Sequence, residues 1–251
     1  MTKRFIRRLL FVFAALYLAP LGLHAAVWMS QDREASFARV DWASARILPP
    51  ADAHQPATIH IFAGRVARQR GIFAHHHWIV LKEHGAHRYM RYDVTRWAGL
   101  RENGWAPDGR WFGDDPVLVG KLEGEAADRA IPQVQAAIAR YRAITRDDYV
   151  TWPGPNSNSF VAELIAAMDA PIALLPTGIG KDFRGSSFYF GATPSHTGLQ
   201  LSAQGALGLS IGWVEGLEVN ILGLVAGLDI RRPALKLPGF GRLGIPPYDA
   251  N

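Results

Sequence analysis

His76 and Ser157 are residue types that could act together as a base and a nucleophile. An imidazole titrates near neutral pH, and a serine hydroxyl needs such a base before it can attack an acyl carbon. The chemistry would be hydrolysis or transfer at an amide or ester. It requires the two side chains to come within hydrogen-bond reach. Ser157 lies in Trp152-Pro153-Gly154-Pro155-Asn156-Ser157-Asn158-Ser159-Phe160-Val161. A rigid turn there runs into small polar residues and then an apolar run, which marks a helix start. Backbone N–H groups and the positive end of the helix dipole at such a start suit an oxyanion. Asn156, Asn158 and Ser159 would sit at that end, with Trp152 before it and Trp78 beside the histidine as lining residues. The commoner use of Ser157 or Ser159 at a helix start is an ordinary cap. The commoner role of His76 is that of a half-buried strand residue.

Three other groups carry less chemistry. His75 and His77 share one face of a strand and His76 the other. With His60 or His87, one face could hold Zn²⁺, but no acid or cysteine joins them, so a surface histidine run is preferred and no metal is expected. Glu215 and Glu218 could pair for glycoside cleavage, yet nothing converges on them. One buried acid and one solvated acid is the simpler expectation. Gly178-Ile179-Gly180-Lys181 lacks the spacing and the following hydroxyl of a phosphate loop. No cofactor is implied.

The elements that position His76 and Ser157 can be read from periodicity. Thr58 to Phe62, Phe73 to Leu81 and His87 to Val94 read as three antiparallel strands with short turns. The third puts Tyr89, Arg91 and Asp93 on one face, and Met90, Tyr92 and Val94 on the other. Residues 97–116 hold Trp97, Trp105, Trp111 and Phe112, which suggests an ordered, buried loop. Ala130 to Ile144 carries Ile131, Val134, Ile138 and Tyr141 on one helical stripe. Asp148 to Trp152 reads as a short strand, and Phe160, Leu164, Ile165 and Met168 as the second helix. Residues 171–197 look like loop. From Gly198, period-2 alternation returns, with Leu217, Val219 and Ile221 opposing Glu218 and Asn220. Glu215, Glu218 and Asn220 argue against a second membrane span there, so a buried hairpin or meander is expected. After Arg232 a Pro- and Gly-rich tail should wrap the surface.

The chain has 251 residues, 49% of them hydrophobic, and no cysteine. It can bury a sizeable core and excludes disulfides, thiolate metal sites and a cysteine nucleophile. The net charge of +5 is concentrated at one end, because Lys3, Arg4, Arg7 and Arg8 supply four positive charges. The remainder is nearly neutral, so no nucleic-acid surface is expected. Leu9 to Met29 contains no charged residue over 21 positions. That is longer than a secretory core of about 7–15 residues and suits a membrane span of about 20. The Ala-x-Ala pattern at His24-Ala25-Ala26 is poor, so an uncleaved anchor is favoured over a cleaved signal. The flanks of Arg7-Arg8 give little support to a twin-arginine signal. The basic head then stays in the cytoplasm. In a Gram-negative cell this places the anchor in the inner membrane and the globular part in the periplasm. The expected order is a basic head at 1–8, an anchor at 9–29, a linker at 30–46 and a globular domain at 47–251.

Asn156-Ser157-Asn158-Ser159-Phe160-Val161 resembles the Asn-Cys-x-x-Phe box of circularly permuted papain-like proteins, which include the lecithin:retinol acyltransferase group, PPPDE-type peptidases and permuted NlpC-type hydrolases. His76-His77-Trp78-Ile79 resembles their earlier His-x-x-Ile strand. The resemblance implies His76 as base, Ser157 in the place of the cysteine, and a third polar member on the following strand, for which His87, Tyr89, Arg91 and Asp93 all qualify. Serine in place of cysteine removes the readily formed thiolate. A serine–histidine pair can still work, but the change also fits a non-catalytic relative that binds a peptide, lipid or cell-wall ligand. The chain as a whole resembles a proteobacterial family, domain of unknown function 3750. The stretches that carry this are Ile47 to Pro50, Ile61 to Arg65, Asn103 to Trp111, Trp152 to Asn158, Gly212 to Gly216 and Leu237 to Gly241. The expected fold is α+β, an antiparallel sheet with flanking helices of permuted papain-like form, after an N-terminal transmembrane helix.

Overall fold

The computed structural model describes residues 3–31, 39–141, 146–185 and 187–246. One long N-terminal helix comes first, built from α1 (Lys3–Phe13), a π-helical turn (Ala14–Leu18) and α2 (Ala19–Met29). Its 27 residues, Lys3–Met29, are long and apolar enough to cross a membrane. No residue of α1 is buried, whereas Tyr17, Pro20, His24 and Trp28 are. Those four recur at helical spacing, so one stripe of the second half rests on the globular part.

That part holds two antiparallel sheets. The first has the order β4-β3-β2-β1-β5, from β1 (Thr58–Arg65), β2 (His75–Lys82), β3 (Met90–Thr95), β4 (Gly99–Glu102) and β5 (Val117–Glu123). Both faces are covered. Ile59, Ile61, Ile79 and Leu81 point to one side, where α3 (Glu125–Tyr141) and α4 (Ser157–Met168) pack with Val134, Ile138, Phe160 and Leu164. Phe62, Trp78 and Val80 point to the other, where Trp111, Trp42 and Trp105 close over them. The register of Ile61 with Ile79 and Phe62 with Trp78 sorts the two sets.

The second sheet is a seven-stranded meander, β12-β11-β10-β9-β8-β7-β6. Its strands are β6 (Phe188–Ala192), β7 (Gly198–Ala203), β8 (Leu207–Gly212), β9 (Gly216–Ile221), β10 (Leu224–Asp229), β11 (Ala234–Leu237) and β12 (Gly241–Gly244). Its inward face is polar. Glu218 binds Lys236 at 2.6 Å and Lys181 at 2.5 Å, and Lys181 binds Asp182 at 2.9 Å. Burial opposes ionisation of Glu218, but the two lysines outweigh it and hold the carboxyl below its ordinary range.

Several expectations need correction. Glu215 and Glu218 are both buried. The meander is present, but its apolar set faces outward and its polar set inward. Asp148 to Trp152 forms no strand, because Val150 N–H turns back to the Pro155 carbonyl at 2.8 Å. The tail after Arg232 supplies β11 and β12 rather than a surface wrap, and the loop region 171–197 contains β6. The aromatic loop contains the short β4. The first helix begins at Glu125, five residues before Ala130, and its expected end at Ile144 lies outside the described residues. Residues 39–46, within the expected linker, pack on the aromatic loop. Asp108 accepts the Ser44 hydroxyl at 2.6 Å and the Ile47 and Leu48 N–H groups at 2.7 and 3.0 Å, and Trp42 packs edge-on to Trp111.

Candidate active site

The start of α4 divides its four polar residues by role. Asn156 is the N-cap, and its Oδ1 accepts from Asn158 N–H at 2.9 Å and Ser159 N–H at 3.2 Å. Ser159 closes the capping box by accepting Asn156 N–H at 2.8 Å. The Asn156 amide donates to the Thr151 and Ile179 carbonyls at 3.0 and 3.1 Å. Gly180 makes room for it, since a Cβ there would lie 2.2 Å from Asn156 Nδ2. Asn158 ties the helix to β2. Its Oδ1 accepts from His77 N–H at 3.1 Å and pairs with His77 Nδ1 at 2.8 Å. Its Nδ2 donates to the His75 carbonyl at 3.0 Å. The backbone is therefore held on both sides of His76. Ser157 occupies the first helical turn and takes no part in the cap. Its neighbour is the Tyr149 phenol, which lies within bonding reach of the Ser157 hydroxyl and N–H.

His76 projects from the opposite face of β2 to His77. Its ring stacks on Trp111 with centroids 4.2 Å apart and planes at 14°. Gly64 permits this, because a Cβ there would lie 2.3 Å from Trp111 Cβ. His76 Nε2 meets Asp93 Oδ1 at 2.9 Å. Asp93 also takes two bonds from Arg91, Nε to Oδ2 at 2.7 Å and Nη2 to Oδ1 at 3.0 Å. Arg91 donates further to the Ala106 carbonyl at 2.8 Å and lies 4.0 Å over the Trp78 ring. Both members of the ion pair are fully buried. Burial works against the Asp93 charge, but Arg91 and then His76 outweigh it and hold the carboxyl below its usual range. Burial pushes the His76 imidazole below its ordinary value, against the bond to Asp93. An ionised carboxylate only accepts, so the neutral ring carries its proton on Nε2 and leaves Nδ1 with a free lone pair.

A cavity of about 560 Å³ joins these groups. His76, Ser157, Asn156, Asn158, Tyr149 and Trp152 all line it. Among the described residues no hydrogen bond joins His76 to Ser157. Its walls are largely apolar, with Leu21, Phe73, Trp97 and Phe112, and Arg70 and Arg96 bring positive charge. Tyr149 stays a phenol, since burial raises its pKa.

The other sequence candidates lie elsewhere. Trp78 is buried beneath His76 and donates to the Pro107 carbonyl at 2.9 Å, so it does not line the cavity. Ser159 is spent in the cap. Two of the helix N–H groups expected as oxyanion donors are taken by Asn156, and that of Ser157 faces the Tyr149 phenol. Of the four residues on β3 and its approach, Asp93 meets His76 and Arg91 supports Asp93. His87 is exposed and pairs with Asp52 at 2.6 Å, and Tyr89 packs edge-on to His60. His60 lies on the His76 face of the sheet, away from His75 and His77, so the histidines do not converge. His75 instead pairs with Thr177 Oγ1 at 2.7 Å. Tyr149, Arg70 and Arg96 were not legible as site residues, because only the fold brings them to the cavity.

A family model described as a protein of unknown function, DUF3750, matches residues 56–183. The match runs from the start of the first sheet through α4 to the loop that seats Asn156. No curated protein and no solved structure matches the chain.

Proposed function

The chain belongs to the DUF3750 family, and from that premise we propose that it is a membrane-anchored hydrolase or acyltransferase acting on an amide or ester. The observation that carries this reading is the Asp93–His76 pair opening on a cavity that Ser157 also lines. In this reading His76 Nδ1 takes the Ser157 proton while Oγ attacks the acyl carbon. Asp93 keeps the proton on Nε2 and stabilises the imidazolium that forms. The Ser157 N–H and the Tyr149 O–H meet the oxyanion. The intermediate collapses, His76 returns the proton to the departing alcohol or amine, and an acyl-Ser157 ester remains. Water or a second acceptor then takes the acyl group by the reverse proton path. The papain-like resemblance supports this order of His before nucleophile. The basic head and the 27-residue helix Lys3–Met29 support an inner-membrane anchor with the domain in the periplasm.

The full chain in detergent micelles is expected to hydrolyse a p-nitrophenyl acyl ester, and Ser157→Ala to reduce the rate to background. Equal rates in both would refute the nucleophile. A second reading, a non-catalytic cleft for a peptide or lipid, draws on a specific observation: Ser157 sits beside Tyr149 and is not hydrogen-bonded to His76. It predicts ligand binding with no ester turnover in either protein.

A further inference from the structure

The seven-stranded sheet is inside out for a domain in water. Antiparallel pairing carries one row of aliphatic side chains across six strands: Leu199, Ile211, Leu217, Leu228, Leu235 and Leu243 are successive register partners. All six are exposed, by 40–58%. On the edge strand Phe188 and Phe190 of the same face are 69% and 65% exposed. Every residue of this parity on all seven strands is Phe, Leu, Ile, Val, Ala or Gly. The opposite parity holds Gln200, Ser210, Glu218, Asn220 and Lys236, and all five are buried. A slip of one residue would exchange the two faces. The chain instead encloses ion pairs, at a desolvation cost, and leaves the leucines outside. Soluble monomers rarely expose a contiguous apolar patch beyond about 600 Å².

The N-terminal helix identifies what covers this face. It lies on it: the Tyr17 hydroxyl donates to the Val219 carbonyl at 2.8 Å, and Ala226, of the outward parity, is only 6% exposed. The rest of the helix surface is open, with Leu16, Leu18, Leu23 and Val27 exposed. Helix and sheet face thus form one apolar surface, and the helix is the segment long and apolar enough to enter a bilayer.

We propose that the outward face of the seven-stranded sheet seats the domain on the lipid bilayer beside its own anchor. This inference rests on the membrane-anchor reading above. The sheet and the stretch of helix packed on it, from Tyr17 to Trp28, lie at the interface rather than across the membrane, because the open edges of β6 and β12 would leave backbone groups unpaired in hydrocarbon. Leu21 of the helix and Leu224 of the outward parity also line the wall of the cavity, with Leu222 of the turn between β9 and β10. The seat therefore brings the mouth of the His76–Ser157 cavity against the lipid.

The absence of cysteine allows a direct test. Ile211→Cys and Leu235→Cys on the face, Phe11→Cys on the anchor and Arg88→Cys on an exposed loop would each carry one environment-sensitive NBD label. The full-length variants would be placed in vesicles of phosphatidylethanolamine and phosphatidylglycerol, with and without acyl-chain nitroxide lipid. The expected result is a blue-shifted emission that falls by half or more with nitroxide at 11, 211 and 235, and no change at 88. Quenching at 11 with water-exposed, unquenched labels at both 211 and 235 overturns the seat and leaves the anchor standing. No quenching at 11 overturns the anchor reading, and the seat with it. Labels at 211 and 235 that are shielded but unquenched, with cross-linking between copies through Ile211→Cys, assign the face to a second copy and overturn the lipid seat.

Discussion

Ester turnover is expected to fall by about 10³-fold in His76→Ala, a loss in the range of a general base. Asp93→Asn should lose a similar amount. An asparagine can turn its amide nitrogen toward Nε2, and the ring proton would then sit on Nδ1, where the lone pair is needed. The pH profile carries a second signature. Burial first, partly opposed by Asp93, sets the His76 pKa below its ordinary 6.5. In the proposed reaction the neutral ring is the active form, so the rate should be flat across neutral pH and decline only in acid, below the usual histidine range. A His76→Ala protein that keeps wild-type turnover would remove the base from the reaction. A rate that climbs steadily from pH 7 to 9 would point to a different titrating group.

Acid should unfold the globular part well before carboxylates titrate. His77 is buried among Asn158 and Leu175, and burial holds its pKa at about 3. His60 is held at about 4, by burial first and then by Lys121. Burial also holds His75 well below the ordinary value. Each ring gains a proton in the unfolded chain near pH 6.5 but stays neutral in the folded one. Below that pH the unfolded state therefore binds more protons, and stability falls as pH falls. Each such ring contributes about 1.4 kcal/mol per pH unit. Between pH 6.5 and 4.5, His77 and His60 together would remove on the order of 5 kcal/mol, comparable with the whole stability of a modest domain. Denaturant midpoints read by tryptophan fluorescence in micelles should drop steeply across that window. Unchanged midpoints down to pH 4.5 would show that these rings are hydrated or charged in the native state.

The start of α4 and the histidine strand were legible, but which of their side chains meet was not. Pro153-Gly154-Pro155 and the apolar spacing after Ser159 located the start of α4. Residue types alone could not say which of Asn156, Ser157, Asn158 and Ser159 caps it, because that depends on backbone geometry. The third member stayed open among His87, Tyr89, Arg91 and Asp93 for a similar reason: all are polar and near in sequence, and only the pairing of β2 with β3 selects Asp93. Edge strands were missed. Val117 to Glu123 lacks clean alternation, and Phe188 to Ala192 sits between glycines. The deeper miss was the orientation of the second sheet. Alternation separates Leu217, Val219 and Ile221 from Glu218 and Asn220, but period 2 does not say which set meets solvent. The usual assumption that the apolar set points inward fails here because Lys181 and Lys236 come from elsewhere in the chain to meet Glu218, and Asp182 meets Lys181.

The central claim is that Ser157 is the nucleophile and His76 the base that activates it. The direct measurement is peptide mapping by mass spectrometry after treating the full-length protein with a fluorophosphonate. The expected result is one adduct, on Ser157, that is lost in Ser157→Ala and strongly slowed in His76→Ala. An adduct on Ser159 or Tyr149, or no adduct on a folded protein, would contradict it.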